Sequence, residues 1–454
     1  MEAWLARAAR LRGGRTALQA LGGGVSYADL YEQARGVAGA LVGRGVRPGD
    51  RVALTLPSEQ LVVALHGCLL VGAVAVPIDL RLRESERAPR LAGAALVLEE
   101  PISGPPVPSP EPPARAGDAT ATLMFTSGTT AGPKPVALSY DNWLWNAIGS
   151  SLALGLDPAE KWLCPMPLAH VGGLSIQIRS AIYGTTVLLH ERFDTERALA
   201  ALMDPAERVT LVSLVPTMLS RLLDAGLREP PTLRRALLGG GPIAPALLRR
   251  AAEAGVDVAP SYGMTEACSQ IATDGFPLLG VELRIAGAPP AVAQGAGRVA
   301  GAEPVVGEVL VRGRTVAAGA LGPDGWLHTG DLGAFDEDGR LVIAGREADT
   351  IVTGGENVAP VEVETVLVEH PAVADAAVFG RPDVEWGEAV VAHVVLVDGA
   401  AVDAEELRVH CASRLAPFKV PKSFSIVASV PRGATGKLLR RELGDRPRRG
   451  TTTM

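Results

Sequence analysis

The sequence predicts an α/β protein. Its large N-terminal part holds two doubly wound α/β subdomains and a small β-barrel subdomain, and a small α+β C-terminal unit follows. Three observations point there. Helix-patterned segments alternate with short apolar runs as far as Leu237, as expected of parallel strands covered by helices. From Gly280 onward short strands are broken by Gly and Pro, which suits a small barrel. Beyond Arg346 strand and helix patterns mix in a unit of roughly a hundred residues.

Taken in order, the N-terminus carries Arg7, Arg10, Arg12 and Arg15 and sets Trp4, Ala8 and Leu11 on one helical face. It lacks the apolar core of a secretory signal, and an organelle-type leader is the alternative. Residues 26 to 44 predict an amphipathic helix, with Ser26 as N-cap, Leu30, Ala34, Val37 and Leu41 on one face, and Gly43 near its end. Arg51 to Leu56, Ala73 to Val76, Thr186 to Leu189 and Thr210 to Val215 read as strands. Leu61 to Val76, interrupted by His66, Gly67 and Gly72, reads as a buried helix entering a buried strand, so no membrane span is expected. Pro101 to Pro113 reads as an exposed connector. Glu308 to Val311 is a strand, and Asp336-Glu337-Asp338-Gly339 turns a hairpin. Pro360 opens a helix through Val363, Val366 and Leu367 that His370-Pro371 closes, Glu388 to Leu396 is a strand, and Asp403 with Glu406 caps a last helix carrying Leu407, Cys411 and Leu415. The expected division is 1–346, a hinge at 347–349, and 350–454.

Composition limits the function. A hydrophobic fraction of 47%, a charged fraction of 20% and 454 residues describe a globular chain of two or three domains. A net charge of −7, with no Lys/Arg stripe in the folded region, argues against a nucleic-acid partner. Arg446, Arg448 and Arg449 read as a solvated tail. Cys68, Cys164, Cys268 and Cys411 are scattered without paired spacing, which supports neither a disulfide framework nor a zinc site and suits a reducing cytoplasm. An oligomer is compatible with the sequence.

Two segments carry phosphate-binding chemistry. In Leu123-Met124-Phe125-Thr126-Ser127-Gly128-Thr129-Thr130-Ala131-Gly132-Pro133-Lys134, hydroxyls and unhindered backbone N–H groups can surround phosphate oxygens. Pro431-Arg432-Gly433-Ala434-Thr435-Gly436-Lys437 places one cation on a glycine-flexed loop. Neither is a Walker loop, because Lys134 lies between prolines and Lys437 precedes two leucines where a magnesium-binding hydroxyl is required. Either alone also fits an ordinary turn or a surface lysine.

With Ser261-Tyr262-Gly263-Met264-Thr265-Glu266, Gly325-Trp326-Leu327-His328-Thr329-Gly330-Asp331 and Gly345-Arg346-Glu347-Ala348-Asp349 running on to Pro360, the ordered set resembles the adenylate-forming superfamily of acyl-CoA synthetases, adenylation domains and luciferases. The resemblance spans about residue 20 to about residue 440. It implies an acid activated by ATP as an acyl-adenylate with release of pyrophosphate, then transferred to a thiol such as that of coenzyme A. It further implies that Thr126, Ser127, Gly128, Thr129, Thr130 and Lys134 hold the departing phosphates. Glu266 helps bind Mg2+, Thr265 contacts the α-phosphate, and Asp331 accepts from the ribose hydroxyls with Arg346 nearby. Tyr262 and Gly263 line the nucleotide, and Gly240, Gly241 and Pro242 border the adenine and acyl pocket. Lys437 is the implied catalytic cation, and rotation of the C-terminal unit about Ala348 would withdraw it to admit CoA. Alanine at the hinge, and Ala131 and Pro135 where the family commonly has glycine, depart from its pattern.

A closer likeness, to the o-succinylbenzoate-CoA ligase branch of menaquinone biosynthesis, rests on Pro165 to Ile176, Arg179, Ile182 to Thr186, Leu238 to Pro242 and Cys268-Ser269-Gln270. Such an acid keeps one carboxylate ionised, and a buried anion needs a partner, for which Arg179 is the candidate. A helix-surface arginine is the alternative. His170 and Ser261 are expected at the acid pocket, though a lone histidine also suits a core. Other expectations stay open: another aryl or acyl acid, a carrier-protein thiol, or a non-catalytic adenylate-binding protein. His190-Glu191-Arg192-Phe193-Asp194 matches an acyltransferase string but is read as coincidence.

Overall fold

The computed structural model describes residues 3–20, 23–105, 116–126, 133–288, 305–353, 356–384, 386–433 and 438–443. Two compact units result, 1–239 with 250–282 and 311–327, and 240–249 with 283–310 and 328–454.

The first unit is built on two sheets. Among the described residues one runs in the order Leu96–Leu98, Arg51–Leu54, Val74–Pro77, Thr120–Thr126, Lys134–Ser139, parallel except for the last pair. The other has a parallel centre, Val258–Met264, Arg235–Leu238, Leu211–Leu214, Lys161–Cys164, Thr186–Leu189 and Thr16–Ala20, with antiparallel strands at both edges. Val74–Pro77, Thr186–Leu189 and Leu211–Leu214 are buried at every position, so apolar residues do not alternate with polar ones. Their length is the main departure from expectation: strand pairing covers Leu211–Leu214 and Arg51–Leu54, each shorter by two residues.

Helices cover these sheets. Ser26 caps the helix Tyr27–Gly43, its hydroxyl accepting from Asp29 N at 3.1 Å. Ser58–Val71 is buried along most of its length, as a helix apolar all round must be. Leu54, Leu65, Trp143 and Leu174 are fully enclosed in one continuous core. The first helix, Trp4–Arg12, buries Trp4, Leu5 and Ala8 while Leu11 is 54% exposed. The packed face therefore runs through Leu5, and the last turn projects beyond the surface it covers. Residues 101–105 lie along Tyr27–Gly43, where Gly104 N donates to Gly36 O at 3.0 Å, so the proline-rich connector begins packed; 106–115 lie outside the described residues. Asp194 caps the helix Thr195–Met203 and Glu191 accepts from Ser58 N, which gives the acyltransferase-like string structural work. All four cysteines are free and buried.

In the second unit the strands Leu327–Phe335 and Leu341–Arg346 form the expected hairpin about Asp336 to Gly339, within a half-barrel sheet, four-stranded among the described residues, that is the expected small barrel-like part. A mixed sheet of Glu356–Val358, Ile351–Thr353, Gly387–Leu396, Val373–Asp383 and Ser423–Ile426 carries the helices Pro360–Val368 and Ala404–Ala412 over a core including Val363, Leu367, Leu407 and Cys411. Asp403 caps the second of these through Glu406 N.

Candidate active site

In the first unit, parallel neighbours Lys161–Cys164, Leu211–Leu214, Arg235–Leu238 and Val258–Met264 all end on one edge of the sheet. The segments leaving them carry His170, Gly239, Thr265 and Glu266, with Tyr262 and Gly263 near the end of the last strand itself, and the carboxyl ends of parallel strands are where α/β sheets bind ligands. Thr126 and Lys134 face each other as the last antiparallel pair of their hairpin, with Thr126 Oγ1 3.5 Å from Lys134 O. Ser127, Gly128, Thr129 and Thr130 join them and lie outside the described residues. The one-turn helix Thr265–Ala267 packs beside both strands of that hairpin. The turn that carries Thr265 and Glu266 and the hairpin that carries Thr126 and Lys134 are thus packed together from segments well over a hundred residues apart.

That turn is tightly built. A Cβ on Gly263 would stand 1.8 Å from Ser269 O, so only glycine lets the Ser269–Thr273 strand close on it. Cys268, at φ 56, reverses the chain, its N–H donating to Thr265 O at 3.0 Å, and Glu266 O accepts from Ala317 N at 2.8 Å. With its backbone pinned and its side chain half-buried, Glu266 has no ion-pair partner among the described residues. A hard cation such as Mg2+ fits it, since Mg2+ takes one or two protein carboxylates and completes its shell with phosphates and water. Tyr262 and Ser261 are half-buried on the same strand.

His170 precedes the helix Val171–Tyr183, and its Nε2 lies 3.5 Å from Asp79 Oδ2, an ion-pair separation rather than a formed hydrogen bond. Burial works to raise the Asp79 pKa. The hydrogen bonds from Arg81, with the His170 ring beside it, outweigh that and hold the carboxyl well below the usual carboxylate range. Asp79 is not among the site residues expected from the sequence, because only the fold brings it beside His170.

Arg179 is on the same helix but roughly 13 Å further along it, so the two expected acid-binding residues are not neighbours. It is 1% exposed, which removes the surface reading. Nε, at 3.1 Å, and Nη2 both donate to Asn146 Oδ1, and Asn146 Nδ2 donates to Gln270 O at 3.2 Å. The guanidinium stands over the Trp162 ring at 5.8 Å, and Nη1 is buried without a hydrogen-bond partner. Burial pushes its pKa below the ordinary value, opposed in part by Tyr183 and Cys268. Since arginine stays protonated in proteins, this is a buried cation lacking a counter-ion among the described residues.

In the second unit, Asp331 and Arg346 are cross-strand partners, Arg346 Nε donating to Asp331 Oδ1 at 2.9 Å. The Asp331 side chain is 8% exposed and that of Arg346 43%. Gly240 has φ 80 in the bend with Gly241 and Pro242 that follows Leu238. Ala348 is the middle residue of the one-turn helix Glu347–Asp349. Lys437 lies outside the described residues, between Arg432, which pairs with Asp375 through two nitrogens, and Arg440, which pairs with Glu364 and Asp349.

Comparison with known proteins gives the family. The AMP-binding enzyme model matches residues 5–101 and 92–321, and the AMP-binding enzyme C-terminal domain model matches 362–437. The 2-succinylbenzoate--CoA ligase of Bacillus licheniformis is 40% identical over 97% of this chain and 98% of its own length, and that of Bacillus subtilis is 38% identical over 97% of each. Among solved structures, o-succinylbenzoate CoA synthetase (MenE) from Bacillus subtilis in complex with the acyl-adenylate intermediate OSB-AMP superposes with TM-score 0.87 at 36% identity over 99% of both chains. The same enzyme with ATP and magnesium ion gives TM-score 0.85 at 36% identity over 98% of this chain and 99% of that one. ATP-bound MatB from Rhodopseudomonas palustris gives 0.85 at 28% identity over 98% of each. The chain belongs to the AMP-binding enzyme family.

Proposed function

We propose that this chain is an AMP-forming 2-succinylbenzoate–CoA ligase of menaquinone biosynthesis, using ATP, Mg2+ and CoA. The observation that carries the reading is the packing of Thr265–Ala267 beside the strands Thr120–Thr126 and Lys134–Ser139, which in the sequence are joined by a segment rich in phosphate donors. In the reaction, negative charge concentrates between the acid and the α-phosphate, and preorganised donors and cations lower that barrier. Thr126, Lys134 and the loop between them hold the leaving pyrophosphate; Thr265 contacts the α-phosphate; Glu266 holds Mg2+, which supplies charge neutralisation at the phosphates. Tyr262, Gly263, Gly240, Gly241 and Pro242 border the nucleotide, Asp331 and Arg346 hold its ribose, and Lys437 brings the catalytic positive charge.

For the acid, Arg179 is the partner of the carboxylate that is not activated, and His170 and Ser261 line the pocket. Support comes from the unmatched charge of Arg179, because a substrate carboxylate would supply the counter-ion that the described residues do not. The division at 347–349, with bending at Ala348 between adenylation and thiol transfer, belongs to the same proposal. So does a cytoplasmic enzyme acting on small molecules, without a nucleic-acid partner. No helix among the described residues is long and apolar enough to cross a membrane. Incubation with ATP, CoA and a panel of acids tests it: AMP, pyrophosphate and 2-succinylbenzoyl-CoA are expected, whereas ADP as product, or equal turnover of benzoate, would refute it.

A further inference from the structure

We propose that Glu308 is a positioning residue that fixes Asp331, and through it the enzyme's preference for a ribonucleotide. The inference rests on the reading above in which Asp331 accepts from the ribose hydroxyls. Its basis lies wholly within the second unit. Glu308 Oε1 accepts from Gly330 N at 3.0 Å and Glu308 Oε2 lies 2.9 Å from His328 Nδ1, so one carboxylate spans the two residues that bracket Thr329, just before Asp331. A second brace runs parallel to it. Thr329 Oγ1 donates to Val309 O at 2.7 Å and accepts from Asp331 N at 3.0 Å.

Gly330 has φ 68, a left-handed conformation, so the backbone bends immediately ahead of Asp331 and needs holding. The Gly330 bond to an ionised acceptor is the stronger part of the brace, while the His328 pair, with the imidazole about half exposed, adds little. Glu308 has an 80% buried side chain, as a structural acceptor should, and the bonds described above go to Gly330 and His328. Its effect on nucleotide binding is therefore indirect. A carboxylate that must accept from two adjacent hydroxyls tolerates little displacement, and losing the brace costs affinity wherever those hydroxyls are read.

The test measures acid-dependent pyrophosphate release by wild type, Glu308→Ala, Glu308→Gln and Asp331→Asn, with ATP, 2′-deoxy-ATP and 3′-deoxy-ATP as alternative substrates. Wild type is expected to prefer ATP and Asp331→Asn to lose that preference. Glu308→Ala should raise KM for ATP about tenfold, the scale of one charge-assisted hydrogen bond, with little change for the deoxy nucleotides. Glu308→Gln, which still offers Gly330 N an acceptor, should keep most of the preference. Should Glu308→Ala not fold, Glu308→Asp, whose shorter arm cannot span both partners, carries the same expectation. A Glu308 variant that loses rate equally on all three nucleotides while keeping the full preference for ATP shows a merely structural role and overturns the inference. Preference retained by Asp331→Asn overturns the ribose assignment and this inference with it.

Discussion

Asn146 Oδ1 takes two hydrogen bonds from Arg179, through Nε and Nη2, while Arg179 Nη1 stays buried and unpartnered. A neutral amide satisfies the geometry of the guanidinium without neutralising it. Cation and orphan donor together make a site that is costly unless an anion completes it.

Arg179→Met removes the charge and keeps the volume. With 2-succinylbenzoate, acyl-CoA formation should fall about a hundredfold, the scale of a lost charged hydrogen-bond pair, and with a monocarboxylic acid it should change little. Thermal unfolding should stay within about 4 °C of wild type, because the buried charge leaves with its unmet donor. Equal losses on both acids would refute the assigned role.

Gly263→Ala should abolish both turn and activity. Its methyl would overlap Ser269 O, a backbone atom that cannot step aside, and a forced shift of that kind costs about 3 kcal/mol or more. Denaturant unfolding and pyrophosphate release read the two effects. A fully active, stable alanine variant would mean that the strand closure is looser than this.

Stability should fall on the acid side of neutrality. Burial lowers the pKa of His66, enclosed in the helix Ser58–Val71, to about 4, from about 6.5 in the unfolded chain. The unfolded state then binds the proton that the folded state refuses, so stability is full above pH 6.5 and lost as pH falls toward 4. Between pH 7 and pH 5 that amounts to about 2 kcal/mol. Burial lowers His190 to about 4 as well, with Arg197 adding to it, so its loss runs in the same direction. Urea titrations of wild type and His66→Leu check this: the pH slope should be shallower in the variant, and identical slopes would contradict it.

Elements whose signals are local were legible in the sequence. Ser26 and Asp403 are caps because a hydroxyl or carboxylate reaches a backbone N–H three residues on, and buried parallel strands announce themselves as unbroken apolar runs such as Thr186–Leu189. Leu11 was misjudged because helical periodicity gives a face but not where the neighbouring surface stops. At the site, Asp331 and Arg346 stood in quotable motifs and do pair. Asn146, Asp79 and Glu308 were invisible: each acts on a residue in another segment, through a contact that only the fold creates. Cys268 and Gly263 were visible as residues, but the reason for them, a reversed chain closing on Thr265, was not.

The central claim is that Lys437 supplies the positive charge for adenylate formation, and half-reaction kinetics of Lys437→Ala test it most directly. Acid-dependent pyrophosphate release should fall about a hundredfold to a thousandfold, as for loss of one preorganised charge-stabilising group, while transfer to CoA from supplied 2-succinylbenzoyl-adenylate continues near the wild-type rate. Pyrophosphate release at the wild-type rate in Lys437→Ala would contradict the account.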